Sequence, residues 1–298
     1  MTRIDAHQHY WELQRRFPAG EASWFLGAVG YPWREAELLP LDRDFLPPDL
    51  EPELEAAGIG GTILINVLHS LGETEWMLGL AGKSATIRGV VGWADLTQPT
   101  ELLEASLERL LDLGPLVGIR HLAEFEPDQQ WLLRPQVVEG LKVLASHNLV
   151  YDLLLQPPQL ALVPRLAEQV PELTFVIDHL AKPPVRNGEV EPWATHLRAA
   201  AASPNTLCKL SGLVTEADHS NWTTDGLLPY VEVALEAFSP QRLMYGSDWP
   251  VCTIAASYTQ VIEGAAECIR RVFAGPSPAD EAAIFGATAE RAYGLAAT

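Results

Sequence analysis

The sequence predicts an α/β protein of the (β/α)8 TIM-barrel class, and three observations carry that prediction. Eight short runs rich in apolar and β-branched residues alternate with longer stretches of helical periodicity. The short runs are near-continuously apolar rather than alternating, which is the pattern of parallel strands covered by helices. From the second run on, successive runs begin 24 to 37 residues apart, the length of one strand–helix unit.

The predicted strands are Arg3–His9, Thr62–Val67, Ile87–Asp95, Leu116–Leu122, Leu149–Leu155, Leu173–His179, Thr206–Ser211 and Leu243–Asp248. Between them, Glu101–Leu113 places Leu103, Leu107, Leu110 and Leu111 on one helical face. Pro135–Ser146, Gln159–Gln169, Leu227–Phe238 and Ala255–Phe273 show the same periodicity. Ser277, Pro278 and Asp280 supply a cap, a first-position proline and a first-turn acid, opening a last helix that reaches Tyr293. An open doubly wound sheet would carry a glycine-rich phosphate turn after strand 1, where this chain has His7-Gln8-His9. The 298 residues show no linker or composition break, so one domain spanning residues 1–298 is expected.

Apolar residues make up 48% of the chain and charged residues 20%, enough for a large packed core. The formal net charge of −19 argues against binding nucleic acid or an anionic membrane. No run of 18 apolar residues occurs, and MTRIDAHQHY has no leader-like apolar region. Three widely spaced cysteines form neither a disulfide framework nor a paired-cysteine zinc site. A reduced, cytoplasmic setting is expected.

The first connection, from Tyr10 to about Glu53, breaks the spacing. It is proline-rich and carries Trp11, Trp24, Phe25, Tyr31 and Trp33. In a barrel it leaves the C-terminal face, where active sites sit. It is read either as a substrate cover or as an apolar plug or subunit contact of a homo-oligomer.

Chemistry concentrates where polar residues end the apolar strands. Strand 1 ends His7-Gln8-His9, and residues two apart on a strand point the same way. Strand 6 ends Asp178-His179, and strand 8 ends Gly246-Ser247-Asp248-Trp249-Pro250. Strands 1 and 8 are neighbours in a closed barrel, with strand 6 close by. Three imidazoles and a carboxylate converging there make a set for one metal ion, with positions left open for water and substrate. A strand histidine alone is more often structural; the joint pattern points to catalysis.

The segments IDAHQHYW, YPW, RDFLPPDL, GVVGWADL, GIRHL, YDLLL, DHLAKPP, CKLSGLVTEAD and RLMYGSDWPVC resemble the amidohydrolase superfamily, in the branch of sugar-lactone hydrolases. The resemblance covers nearly the whole chain. It implies a water attacking a lactone carbonyl, with Asp248 as general base, His179 beside it in the catalytic site, and His7, His9, His179 and Asp248 as the metal cradle. It also implies one divalent metal, Zn2+, that is dispensable in some relatives. A two-metal site would need a bridging lysine and a further histidine. The segments Leu116–Leu122 and Leu149–Gln156 have no lysine, and strand 5 offers Asp152 instead of a histidine.

Secondary positions follow. Trp33 and Trp93 are candidates to stack on an apolar sugar face. Asn66 is a further candidate for sugar contact, although it departs from the glutamine that the resemblance implies. Arg120, His121, Tyr151, Asp152 and Lys182 are candidates for sugar contact, Arg120 with an internal Arg–Asp pair as its alternative role. Lys209, inside an apolar strand, needs a buried partner and is read as structural or catalytic. His69 follows strand 2 with no role assigned, and His147, His196 and His219 are read as surface residues. The expected partner is a small sugar lactone. Two alternatives are a decarboxylase on the same barrel, which would need arginines to clamp a carboxylate, and a non-catalytic barrel that binds a sugar acid.

Overall fold

The computed structural model describes residues 2–15, 17, 36–273 and 275–296. Eight strands form one parallel sheet: β1 (Ile4–Gln8), β2 (Gly61–Ile65), β3 (Ile87–Gly92), β4 (Leu116–His121), β5 (Val150–Leu153), β6 (Phe175–Ile177), β7 (Thr206–Leu210) and β8 (Leu243–Tyr245). Their spatial order is their chain order, each paired with the next. Beyond β8 the ring closes through a parallel bridge between Gln8 and Trp249, in which His9 N donates to the Trp249 carbonyl at 2.7 Å. All eight predicted strands are present. They are shorter than the apolar runs because the last residues of each run turn over the barrel mouth, where ladder pairing ends.

The helices are α1 (Pro47–Ala57), α2 (Leu71–Ala81), α3 (Thr100–Leu113), α4 (Pro135–Ser146), α5 (Val163–Gln169), α6 (Trp193–Ala201), α7 (Thr224–Phe238), α8 (Tyr258–Val272), α9 (Pro278–Ala282) and α10 (Thr288–Ala292). Ser70, Thr223, Ser257 and Ser277 each accept a backbone N–H of the first turn, starting α2, α7, α8 and α9. The predicted helix after Ser277 is interrupted at Ala283–Ala287 by one π turn. The stretch predicted as Gln159–Gln169 is a 3-10 turn over Pro157–Leu162 followed by α5. No described helix is long and apolar enough to cross a membrane.

Two apolar layers follow from this geometry. One lies between sheet and helices. The other fills the barrel with Ile4, Ala6, Ile63, Ile65, Val91, Val150, Val176, Leu207 and Met244. Ala289 and Tyr293, in and just after α10, complete that inner layer from the N-terminal end of the strands. The approach is close there: a side chain at Gly286 would bring Cβ to 2.4 Å from the Thr2 carbonyl. The opposite end, where β-strands run into loops, is left for polar groups.

Candidate active site

β1 carries a register shift between Asp5 and Gln8. Asp5 holds this segment: its Oδ1 accepts the backbone N–H of His7 at 3.1 Å and of Ser247 at 2.8 Å, and its Oδ2 accepts the Tyr258 hydroxyl at 3.1 Å. A further bond from Asp248 N to the His7 carbonyl, at 2.8 Å, fixes the two ends of the chain together. Gly246 permits the approach, since a Cβ there would sit 2.6 Å from His7 Cβ.

The side chains converge. His7 Nε2 and His9 Nε2 are 3.1 Å apart. Asp248 Oδ1 lies 3.4 Å from His9 Nε2, 3.8 Å from His7 Nε2 and 3.9 Å from His179 Nε2. All four residues are buried. His179 and Asp248 both hold positive φ, at 52° and 60°, in the left-handed region that non-glycine residues seldom occupy. The left-handed run continues through Leu180, Ala181 and Lys182. Backbone strain concentrated on the residues that face a site is a mark of function.

The outer nitrogen of each imidazole is held by a partner. A carbonyl only accepts, so His9 Nδ1 carries the proton it donates to the Ile65 carbonyl at 2.8 Å. His7 Nδ1 lies 3.3 Å from Asp178 Oδ1. His179 Nδ1 meets Ser211 Oγ at 2.8 Å. Lone pairs of His7 and His9 therefore face each other and the Asp248 carboxylate. The donor nearest to them among the described residues is Arg120 Nη1, 3.4 Å from His7 Nε2. Such a set of acceptors is what a cation satisfies, with the outer partners orienting each ring. Ligands about 2.0–2.1 Å from a tetrahedral ion sit about 3.3 Å from one another, close to the spacings here. His7, His179 and Asp248 offer ligand atoms within 4.8 Å of one another, so the group can hold a metal.

Beneath the imidazoles runs a buried charge network. Lys209, fully buried on β7, donates to Asp152 Oδ2 at 2.5 Å and lies 2.9 Å from Asp178 Oδ1 and 3.2 Å from His7 Nδ1. Tyr293 donates to both Asp152 oxygens, at 3.0 and 3.1 Å. Arg120 donates from Nη1 to Asp178 Oδ2 at 3.0 Å, from Nε to Asn66 Oδ1 at 3.2 Å, and from Nη2 to the Asn66 carbonyl. Two cations and two carboxylates thus neutralise one another out of water, which a buried ion needs. Burial pushes the Asp178 carboxyl up, but Lys209, His7 and Arg120 outweigh it and hold it well below the usual carboxylate range. Burial likewise works against the Asp248 anion, and its histidine and Lys182 neighbours bring it below the ordinary value. Burial depresses His179 to about 4.

Above the floor opens a cavity of about 470 Å³. His9, His179, Asp248 and Arg120 form its floor, Leu122, Phe125, Leu154 and Ile254 an apolar side, and Glu124, Lys182, Glu216 and His219 a polar side. His219, read from sequence as a surface residue, is half-buried and lines this cavity. His147 and His196 are half-buried and do not line it.

Several predicted sugar contacts are placed elsewhere. Tyr151 turns to the outer layer, edge-on to Phe175, with its ring centroid 6.3 Å from that ring's. Alternation along β5 sends Tyr151 outward when Asp152 points in. Asp152 itself lies below the floor in the ion network. His121 pairs with Glu126 at 2.8 Å and stacks between Trp131 and His69, away from the cavity. Trp93 donates to His121 Nδ1 at 3.3 Å. Asn66 braces Arg120, so its polar atoms face protein rather than the cavity. Lys182 and Arg120 reach the cavity wall. Trp33 lies outside the described residues. Asp178, Ser211, Glu124 and Glu216 were not singled out in the sequence, although Asp178 adjoins His179 and Ser211 ends strand 7, the position where the other site residues cluster.

The family model described as amidohydrolase matches residues 4–295. This chain belongs to the amidohydrolase family. It is 36% identical over 303 residues to an L-fucono-1,5-lactonase of Burkholderia multivorans, covering 98% of this chain and 96% of that protein. It is 34% identical over 295 residues to the L-fucono-1,5-lactonase of Burkholderia ambifaria, covering 98% and 95%. A crystal structure of an amidohydrolase from Burkholderia multivorans with bound zinc superposes with a TM-score of 0.85 at 35% identity, covering 99% of this chain and 100% of that one.

Proposed function

We propose that this chain hydrolyses a sugar lactone, an L-fucono-1,5-lactone-like ring being the first substrate to test. The observation that carries the reading is the Asp248 carboxylate within 3.4 to 3.9 Å of three imidazole nitrogens at the floor of a sugar-sized cavity. The names of the two Burkholderia relatives supply the substrate class.

Asp248 stays ionised at neutral pH, so its Oδ1 accepts a proton from a water above the imidazoles. The water oxygen attacks the lactone carbonyl, and the carbonyl–ring oxygen bond breaks. The ring oxygen takes the proton back from Asp248, leaving a hydroxy acid that loses its own proton to solvent. Neutral His179 faces the same point through Nε2 and orients the water or the carbonyl oxygen. We infer that His7, His9, His179 and Asp248 hold a single Zn2+, which when bound acts as a Lewis acid on the carbonyl oxygen. The Ile65 carbonyl, Asp178 and Ser211 keep the rings in place for it. The decarboxylase alternative lacks its clamp, because Arg120 is tied to Asp178 and Asn66 and Lys182 to Glu124.

The test is a pH-indicator assay of the purified protein on sugar 1,4- and 1,5-lactones, with Asp248→Asn as control. Acid release by the wild type and its loss in the variant are expected. No acid from any lactone, or turnover retained in Asp248→Asn, would reject the reading.

A further inference from the structure

The polar side of the cavity has an unbalanced charge. Lys182 Nζ sits 2.5 Å from Glu124 Oε2, and Gln156 Nε2 donates to the same oxygen at 2.9 Å. The Glu124 side chain is 3% exposed, so this pair is closed on itself. Burial opposes the Lys182 ammonium, but Glu124 and Glu216 outweigh it and hold its proton above the ordinary lysine range. Arg120 is matched in the same way by Asp178. Glu216 lines the cavity with no salt bridge among the described residues. Its own carboxyl is pushed up by burial and by Glu124 and Asp248, with Lys182 and His219 acting the other way. Negative charge is already resisted at this wall.

We propose that Glu216 is a specificity residue: it accepts hydroxyls of a neutral, polyhydroxylated lactone and repels lactones that carry a carboxylate. An unpaired carboxylate is a strong acceptor for sugar hydroxyls. The same anion placed several ångströms from a second one, in a half-buried site, disfavours it by about tenfold after screening. The consequence extends to turnover. Ring opening creates a carboxylate in the cavity, so Glu216 weakens the hold on product and not on substrate.

This inference rests on the lactonase reading, and its test separates the two. Wild type, Glu216→Gln and Glu216→Asp are compared on L-fucono-1,5-lactone and on glucaro-1,4-lactone, which bears a free carboxylate. Wild type and Glu216→Asp are expected to favour the neutral ring by about tenfold or more in kcat/KM, and Glu216→Gln to narrow that ratio about tenfold. Calorimetric binding of L-fuconate, which needs no turnover, is expected to tighten about tenfold in Glu216→Gln and not in Glu216→Asp. An unchanged ratio with unchanged fuconate binding would overturn the proposal, as would equal loss on both lactones. If no lactone is opened at all, the hydrolase reading fails, while the fuconate titration still decides the charge filter.

Discussion

Ser211 Oγ lies 2.8 Å from His179 Nδ1, while the other nitrogen of the same ring faces Asp248 at 3.9 Å. The hydroxyl therefore holds the orientation of the His179 ring without meeting the cavity floor itself. Gly212 makes room for the ring: at φ 67°, a Cβ there would sit 2.7 Å from His179 Nδ1. Ser211→Ala is expected to weaken Zn2+ binding about 10- to 100-fold with the fold intact. Competition against a chromophoric chelator reads this directly. Unchanged affinity would show that His179 is held by packing alone.

Removal of the metal is a second test. Dialysis against a chelator followed by elemental analysis and assay is expected to lower lactone hydrolysis, and one equivalent of Zn2+ to restore it. Restoration only with two equivalents would contradict a single-ion cradle.

Lys209 links three groups that have no water to turn to. Lys209→Met leaves Asp152 with Tyr293 and Asp178 with Arg120 and His7, removing the buried cation that both carboxylates share, and is expected to cost about 3–5 kcal/mol, measured by chemical denaturation. Tyr293→Phe removes one donor from Asp152 and is expected to cost about 1.5–3 kcal/mol, as befits a hydrogen bond to a charged group. A Tyr293→Phe protein as stable as wild type would mean that Lys209 alone satisfies Asp152.

Asp5 gives a pH dependence with a defined sign. It is fully buried, and burial raises its pKa to about 6 despite the bonds from Ser247, His7 and Tyr258. A carboxyl whose folded pKa exceeds its unfolded value near 3.8 keeps its proton longer in the folded state. Its contribution is fully present below about pH 4 and is lost as pH rises to about 6, a fall of about 3 kcal/mol. Asp5→Asn keeps the acceptor for both backbone N–H groups and removes the titration. Its stability relative to wild type is expected to rise between about pH 4 and 6. A constant difference across that window would show that Asp5 does not titrate there.

The eight strands could be read from the chain because each is largely buried on both faces and therefore mostly apolar. His7, His9, His179 and Asp248 stood out for the same reason, as polar residues ending apolar runs. Two kinds of feature were hidden. α1, with three prolines, and α2, apolar on most sides, lack the one-sided periodicity that marks a helix, and α6 builds its buried face largely from alanines, which mark a core weakly. Partnerships across the barrel were hidden too, because nothing local distinguishes an Asp178 that grips His7 from one that faces water. Lys209 needed a partner by its burial, but its choice of Asp152 and Asp178 depends on β5, β6 and β7 lying side by side. Tyr151 and Asp152 differ by one strand position, and only the register decides which of them turns inward. His219 reaches the cavity because the loop after β7 folds over the mouth.

Tyr293 touches the floor's supporting acid from the last turns of the chain, whereas His7 belongs to its first strand. A truncation that removed α10 and Tyr293 would thus take away a brace from a buried acid beneath the site, and reach the imidazoles through Asp152 and Lys209 without touching any of them.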